Sequence, residues 1–114
     1  MNNFCFVAQP FDQGKFDQRY QDVIKPVIES LGLCAYRVDE DLAVEIPINT
    51  IEAKISAANV VIAEITTDNP NVWFELGYAL ALAKPIILLC SDERKLPFLL
   101  MLDIGILLHI LQVA

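Results

Sequence analysis

The sequence predicts a three-layer α/β domain of flavodoxin-like type, built on a parallel sheet of four to five strands. Three observations carry that prediction. Short apolar runs recur without polar alternation, as in strands buried on both faces. Segments of helical period lie between them, and such alternation implies right-handed crossovers and a parallel sheet. The chain has 114 residues, 55% of them hydrophobic, which suits one core and one domain spanning 1–114.

Taken in order, the run NFCFVA ending at Ala8 reads as the first strand, and QPFDQG (9–14) supplies turn residues. Residues 15–32 carry Phe16, Tyr20, Val23, Val27 and Leu31 at spacings of four and three, which predicts a helix with these residues on its core face. Pro26 should kink or tighten it, and Gly32 is a natural C-cap. LCAYRV (33–38) reads as a strand and DEDLAVEIP (39–47) as a loop. Next come a short helix over 48–58, with Asn49 as a candidate cap, and an apolar strand, NVVIAEI (59–65). TTDN (66–69) is a polar turn, PNVWFELGYALALA (70–83) the clearest helix, and PIILLC (85–90) a fourth strand. A fifth could follow Phe98. Ligands of such sheets sit beyond the carboxyl ends of the strands, so the loops Gln9–Gly14, Arg37–Asp41 and Thr66–Asn69 should share one rim.

Eight basic against fifteen acidic residues give a net charge of −7. That balance disfavours nucleic-acid backbones and anionic membranes as partners and leaves small ligands open. Cys5, Cys34 and Cys90 are far apart and odd in number, a pattern of reduced, buried thiols in a cytoplasmic protein rather than of disulfides or a metal site. Nothing in the pattern calls for a metal or a cofactor. The N-terminus lacks the basic and apolar regions of an export signal. The apolar segment 99–114 contains Asp103 and His109 and is shorter than the ~20 residues of a membrane span.

The helix over 70–83 carries one acid among apolar residues. Asn69 can cap it, and Pro70 suits the first helical position. Glu75 then falls in the second turn, where the helix dipole favours an ionised carboxylate. Asn71, Glu75 and Tyr78 share one stripe, the exposed one. Val72, Leu76, Ala79 and Ala83 form the apolar stripe beside it. Gly77 has no turn role and should permit close packing.

Over residues 4–98 the sequence resembles the nucleoside 2-deoxyribosyltransferase-like and TIR-like group of bacterial proteins. FVAQPFD, ANVVIAE and, most specifically, NPNVWFELGYALALAKP carry the resemblance. In the deoxyribosyltransferases the glutamate of the similar ELGYA motif is the nucleophile that takes the deoxyribosyl group from the base, and TIR-type NAD hydrolases also use a helix glutamate. Both imply Glu75 as the catalytic residue. Cleaving an N-glycosidic bond develops positive charge on the sugar, which a carboxylate can stabilise or trap.

Gln9 and Phe11 on the first rim loop, Arg37 and Asp39 on the second, and Asp68, Asn69, Asn71 and Tyr78 around the helix are the candidate substrate-binding residues. Phe11 or Trp73 could stack on a base. The transferases carry an acid six residues before the nucleophile. Asn69 stands there and cannot act as a general acid, which favours hydrolysis or binding over transfer.

Two functions follow. One is an N-glycosidic-bond hydrolase or deoxyribosyltransferase acting on a nucleoside, nucleotide or NAD-like molecule. The other is a non-catalytic nucleotide-sensing or protein-interaction module of TIR-like type. A flavin domain is disfavoured by the absence of a glycine-rich phosphate loop, and a receiver domain by an incomplete cluster of acids at the strand ends. The apolar tail 99–114 departs from the polar, Tyr-bearing end usual in the group, as a diverged or frameshifted end would, and it should be covered by the sheet edge or by a second copy.

Overall fold

The computed structural model describes residues 3–38, 47–91 and 108–113. The elements run β1 (Phe4–Ala8), α1 (Lys15–Arg19), a π-helical turn (Tyr20–Ile24), α2 (Lys25–Ser30), β2 (Cys34–Tyr36), α3 (Ile48–Ala57), β3 (Val60–Glu64), α4 (Pro70–Ala81), β4 (Ile86–Ser91) and β5 (Leu108–Val113). All pairings are parallel, and the five strands lie in the order β2-β1-β3-β4-β5. This is the flavodoxin-like order, in which the chain switches direction across the sheet between β1 and β3.

Alternate residues of the strands feed two cores. Phe6 and Ala8 of β1 join Val61 and Ala63 of β3, Ile86, Leu88 and Cys90 of β4, and residues of α3 and α4 such as Ile55, Val72 and Leu76. Cys5 and Val7 point the other way, onto Tyr20, Ile24 and Ile28. Helices therefore cover both faces, and this double cover is why the strands read as unbroken apolar runs.

The long helix departs from its predicted phase. Phe16, Tyr20, Ile24 and Ile28 are buried, whereas Val23, Val27 and Leu31 are 54%, 54% and 74% exposed. The cause is the π turn. The N–H of Lys25 donates to the carbonyl of Tyr20, five residues back, just ahead of Pro26, which has no N–H to give. The wider turn shifts the buried set to a strict spacing of four. Pro26 thus loosens the helix rather than tightening it. Gly32 (φ 83°) ends α2 in a Schellman arrangement, with Gly32 N–H on Glu29 O and Leu33 N–H on Ile28 O.

Four smaller expectations also change. Asn49 lies inside α3; the capping position is Pro47, which offers no side-chain bond. Cys34 is exposed, while Cys5 and Cys90 are buried. Ala83 lies beyond the end of α4 with φ 55° and is exposed. Gly77 faces outward, and a Cβ there would meet nothing within 4 Å. Close packing does not explain it, so Gly77→Ala should stabilise the chain by about 0.5–1 kcal/mol, read as a rise in urea midpoint at constant m.

The tail supplies β5, in backbone register with β4 through pairs such as Leu88↔Ile110. Association of copies through the side chains of this segment, like the loop 39–46, lies outside the described residues. No described helix is long and apolar enough to cross a membrane.

Candidate functional site

A cavity of about 480 Å³ opens at the carboxyl ends of β1, β2 and β3. Its volume falls in the usual range for small-molecule sites, ~300–1,000 Å³. Pro10, Phe11, Val38, Ile48, Ile51 and Phe74 make it largely apolar, and Gln9, Asn69, Asn71 and Glu75 place four polar side chains on its wall.

Glu75 comes to this wall because α4 starts beside it. The Asn69 side-chain oxygen accepts from the N–H groups of Asn71 and Val72, and Pro70 occupies the first turn. Val72, Leu76 and Ala79 anchor the helix in the core. Glu75 is only 7% exposed, and no described residue bonds to its carboxylate. Desolvation pushes its carboxyl up to about 7. The expected dipole stabilisation of the ionised form, ~0.3–1 kcal/mol, is outweighed by burial. The stripe predicted to be exposed is accordingly graded: Asn71 is exposed, Tyr78 half-buried and Glu75 buried.

Behind the wall lies a polar network that the sequence largely conceals. Glu64, with no exposed surface, ends β3. It accepts from Gln9 Nε2 (3.2 Å), Thr66 Oγ1 (2.8 Å) and the Arg19 guanidinium. Arg37 is also buried. It donates to Gln9 Oε1 (2.8 Å), pairs with Asp17 (3.1 Å), and lies over the rings of Tyr20 and Phe11 at 4.5 and 5.0 Å. An acid closing a central apolar strand, VVIAE, was the available signal for Glu64. Arg19 and Asp17 gave none, because their partners Glu64 and Arg37 are distant in sequence.

The rim loop before α1 is tied by reciprocal carboxylates. Asp12 accepts from the N–H groups of Gly14, Phe16 and Asp17, and Asp17 accepts from those of Asp12 and Gln13. Desolvation pushes the Asp12 carboxyl up, but the backbone donors together outweigh it and hold the group below its ordinary value.

A model of the nucleoside 2-deoxyribosyltransferase family matches residues 15–109. The chain belongs to that family. Among solved structures, the CMP N-glycosidase BcmB of Clostridium botulinum superposes with a TM-score of 0.72 at 21% identity, over 97% of this chain and 89% of that one. The 2-deoxyribosyltransferase of Bacillus psychrosaccharolyticus gives 0.66 at 19%, over 83% and 77%. At these identities the likeness concerns the fold. No curated protein sequence matches the chain.

Within this family member, five of the residues singled out from sequence meet at one cavity: Gln9, Phe11, Asn69, Asn71 and Glu75. Arg37 does not line the cavity, and it touches two residues that do, Gln9 and Phe11. Asp68 is exposed and Tyr78 packs on Phe74, with ring centroids 6.3 Å apart; neither lines the cavity. Trp73 packs on the core instead of offering a stacking face. Asp39 lies outside the described residues. Among the described residues no group of His, Cys, Asp and Glu could hold a metal ion.

Proposed function

We propose that this chain cleaves the N-glycosidic bond of a nucleoside or nucleotide, with Glu75 as the nucleophile or the stabiliser of the sugar cation. The observation that carries the reading is a carboxylate without a described partner, buried on the wall of a cavity of about 480 Å³. A buried acid left unpaired costs stability, and a charge that develops on bound substrate would give it a partner. Family membership and the fold shared with a CMP N-glycosidase support the same chemistry. Apolar walls formed by Phe11, Phe74 and Ile51 suit a base, and Asn71 suits sugar hydroxyls.

Hydrolysis is favoured over transfer between bases. Asn69, at the position where the resemblance places an acid, has its oxygen committed to capping α4. It has no proton to deliver to a leaving base at neutral pH.

The test is chromatographic detection of free base from deoxynucleosides, nucleoside monophosphates and NAD, with Glu75→Ala alongside. We expect base release that the variant lacks, and a kcat/KM that falls about tenfold per pH unit below about 7, as the carboxylate takes up its proton. Release unchanged in the variant would remove Glu75 from the mechanism. Binding with no release would leave the chain a nucleotide sensor.

A further inference from the structure

We propose that Gln9 is a hydrogen-bond donor to the departing base, an inference that rests on the glycosidase reading above. The orientation of its amide is dictated by its neighbours. Arg37 can only donate, so the atom facing it at 2.8 Å is Oε1, and that leaves Nε2 to donate to the Glu64 carboxylate at 3.2 Å. One N–H of Nε2 donates to Glu64, and no described residue accepts the other. The side chain is 2% exposed and lines the cavity. A buried N–H without an acceptor is rare in folded proteins, because it loses its water and gains nothing in exchange. An acceptor on a bound ligand would satisfy it.

The two neighbours also set the strength of this donor. The Arg37 guanidinium on Oε1 draws electron density from the amide and makes its N–H groups better donors. Glu64 opposes that polarisation, and its own charge is shared with Arg19 and Thr66. Both partners are fixed, so Gln9 presents the N–H without reorganising, as donors to a developing anion should. Gln9 and Glu75 line the same cavity. A ligand can therefore meet the carboxylate at its sugar and the N–H at its base.

In the step proposed, a Glu75 carboxylate oxygen forms a bond to C1′ while the C1′–N bond breaks. The bonding pair passes to the base nitrogen, whose negative charge the Gln9 N–H stabilises through a ring nitrogen or carbonyl oxygen of the base. Water then adds to C1′ and frees Glu75, its hydroxyl remaining on the sugar and its proton passing to the base. Gln9 gives up no proton.

A donor to the leaving group makes a prediction that a structural role does not. The loss on removing it should grow as the base becomes a poorer leaving group. Gln9→Met would be compared with wild type on deoxynucleosides whose bases span weakly to strongly acidic N–H groups. We expect kcat to fall roughly 10- to 100-fold for the poorest leaving bases and less than about threefold for the best, with KM little changed. Should this variant not fold, exchanging the pair as Gln9→Glu with Glu64→Gln keeps the charge and the contact while deleting the N–H, and the same series is read on it. An equal loss across the series, or none, overturns the role of Gln9 and leaves the glycosidase reading intact. No base release by wild type overturns both.

Discussion

Glu75→Gln should raise the melting temperature while abolishing base release. The native carboxyl holds its proton up to about 7, against 4.5 for the same group in an unfolded chain. Between those values the native state binds more protons than the unfolded state, so stability falls as pH rises through that window. The favourable contribution is fully present below about 4.5 and gone above about 7. At roughly 1.4 kcal/mol per pH unit, the deficit at neutral pH is on the order of 3 kcal/mol. A glutamine removes the titration and keeps the shape. Calorimetry at pH 8 should therefore show the Glu75→Gln variant melting higher than wild type by on the order of 10 °C, and at pH 4 the two proteins should nearly coincide. Base release should fall by on the order of 10³-fold or more. An acid that costs the fold stability and has no hydrogen-bond partner among the described residues is the pattern of a site kept for function. Equal melting at both pH values would show that Glu75 is solvated in the native protein, and the argument from burial would go.

Arg19→Ala should be the most destabilising single change in the network, by about 3–5 kcal/mol, because it strands the buried Glu64 charge. Arg19 itself keeps 30% of its side chain exposed and could be solvated on losing its partner, whereas Glu64 has no exposed surface. The asymmetry predicts a rescue. Glu64→Gln added to Arg19→Ala should recover most of the loss, since the amide still meets Gln9 and Thr66 without a charge to compensate. Urea unfolding of the two single variants and the double variant gives the coupling energy. A double variant as unstable as Arg19→Ala alone would show that Arg19 acts through packing on Phe16, whose ring lies 5.8 Å from its guanidinium.

The strand positions, their parallel pairing and the helix with its Asn69 cap were legible because each rests on local chemistry: apolar runs, an Asn-Pro start, Gly32 at a helix end. The place of Glu75 in the second turn of that helix was legible by the same route, but its burial was not. What escaped depended on partners distant in sequence. The buried face of the helix over 15–30 was misplaced by about one residue, because a π turn changes the period without changing the letters. Arg37 looked like a ligand contact because nothing local reveals that it is buried against Asp17 and Gln9. Gly77 looked like a packing glycine because its packing partner could only be checked in three dimensions.

The switch in strand order between β1 and β3 has a kinetic side. Gln9 and Glu64 are 55 positions apart yet in contact, and they meet only after β1 and β3 pair. Closing a loop of that length costs about 3.5 kcal/mol in chain entropy beyond a length-independent constant, which the pairing of β1 with β3 and the burial of Phe6, Ala8, Val61 and Ala63 must offset. The ligand wall therefore exists only once β1 and β3 have paired, and a molecule in which they have not has none of it. A ligand that binds there acts on the completed sheet alone, and it should slow unfolding without hastening folding.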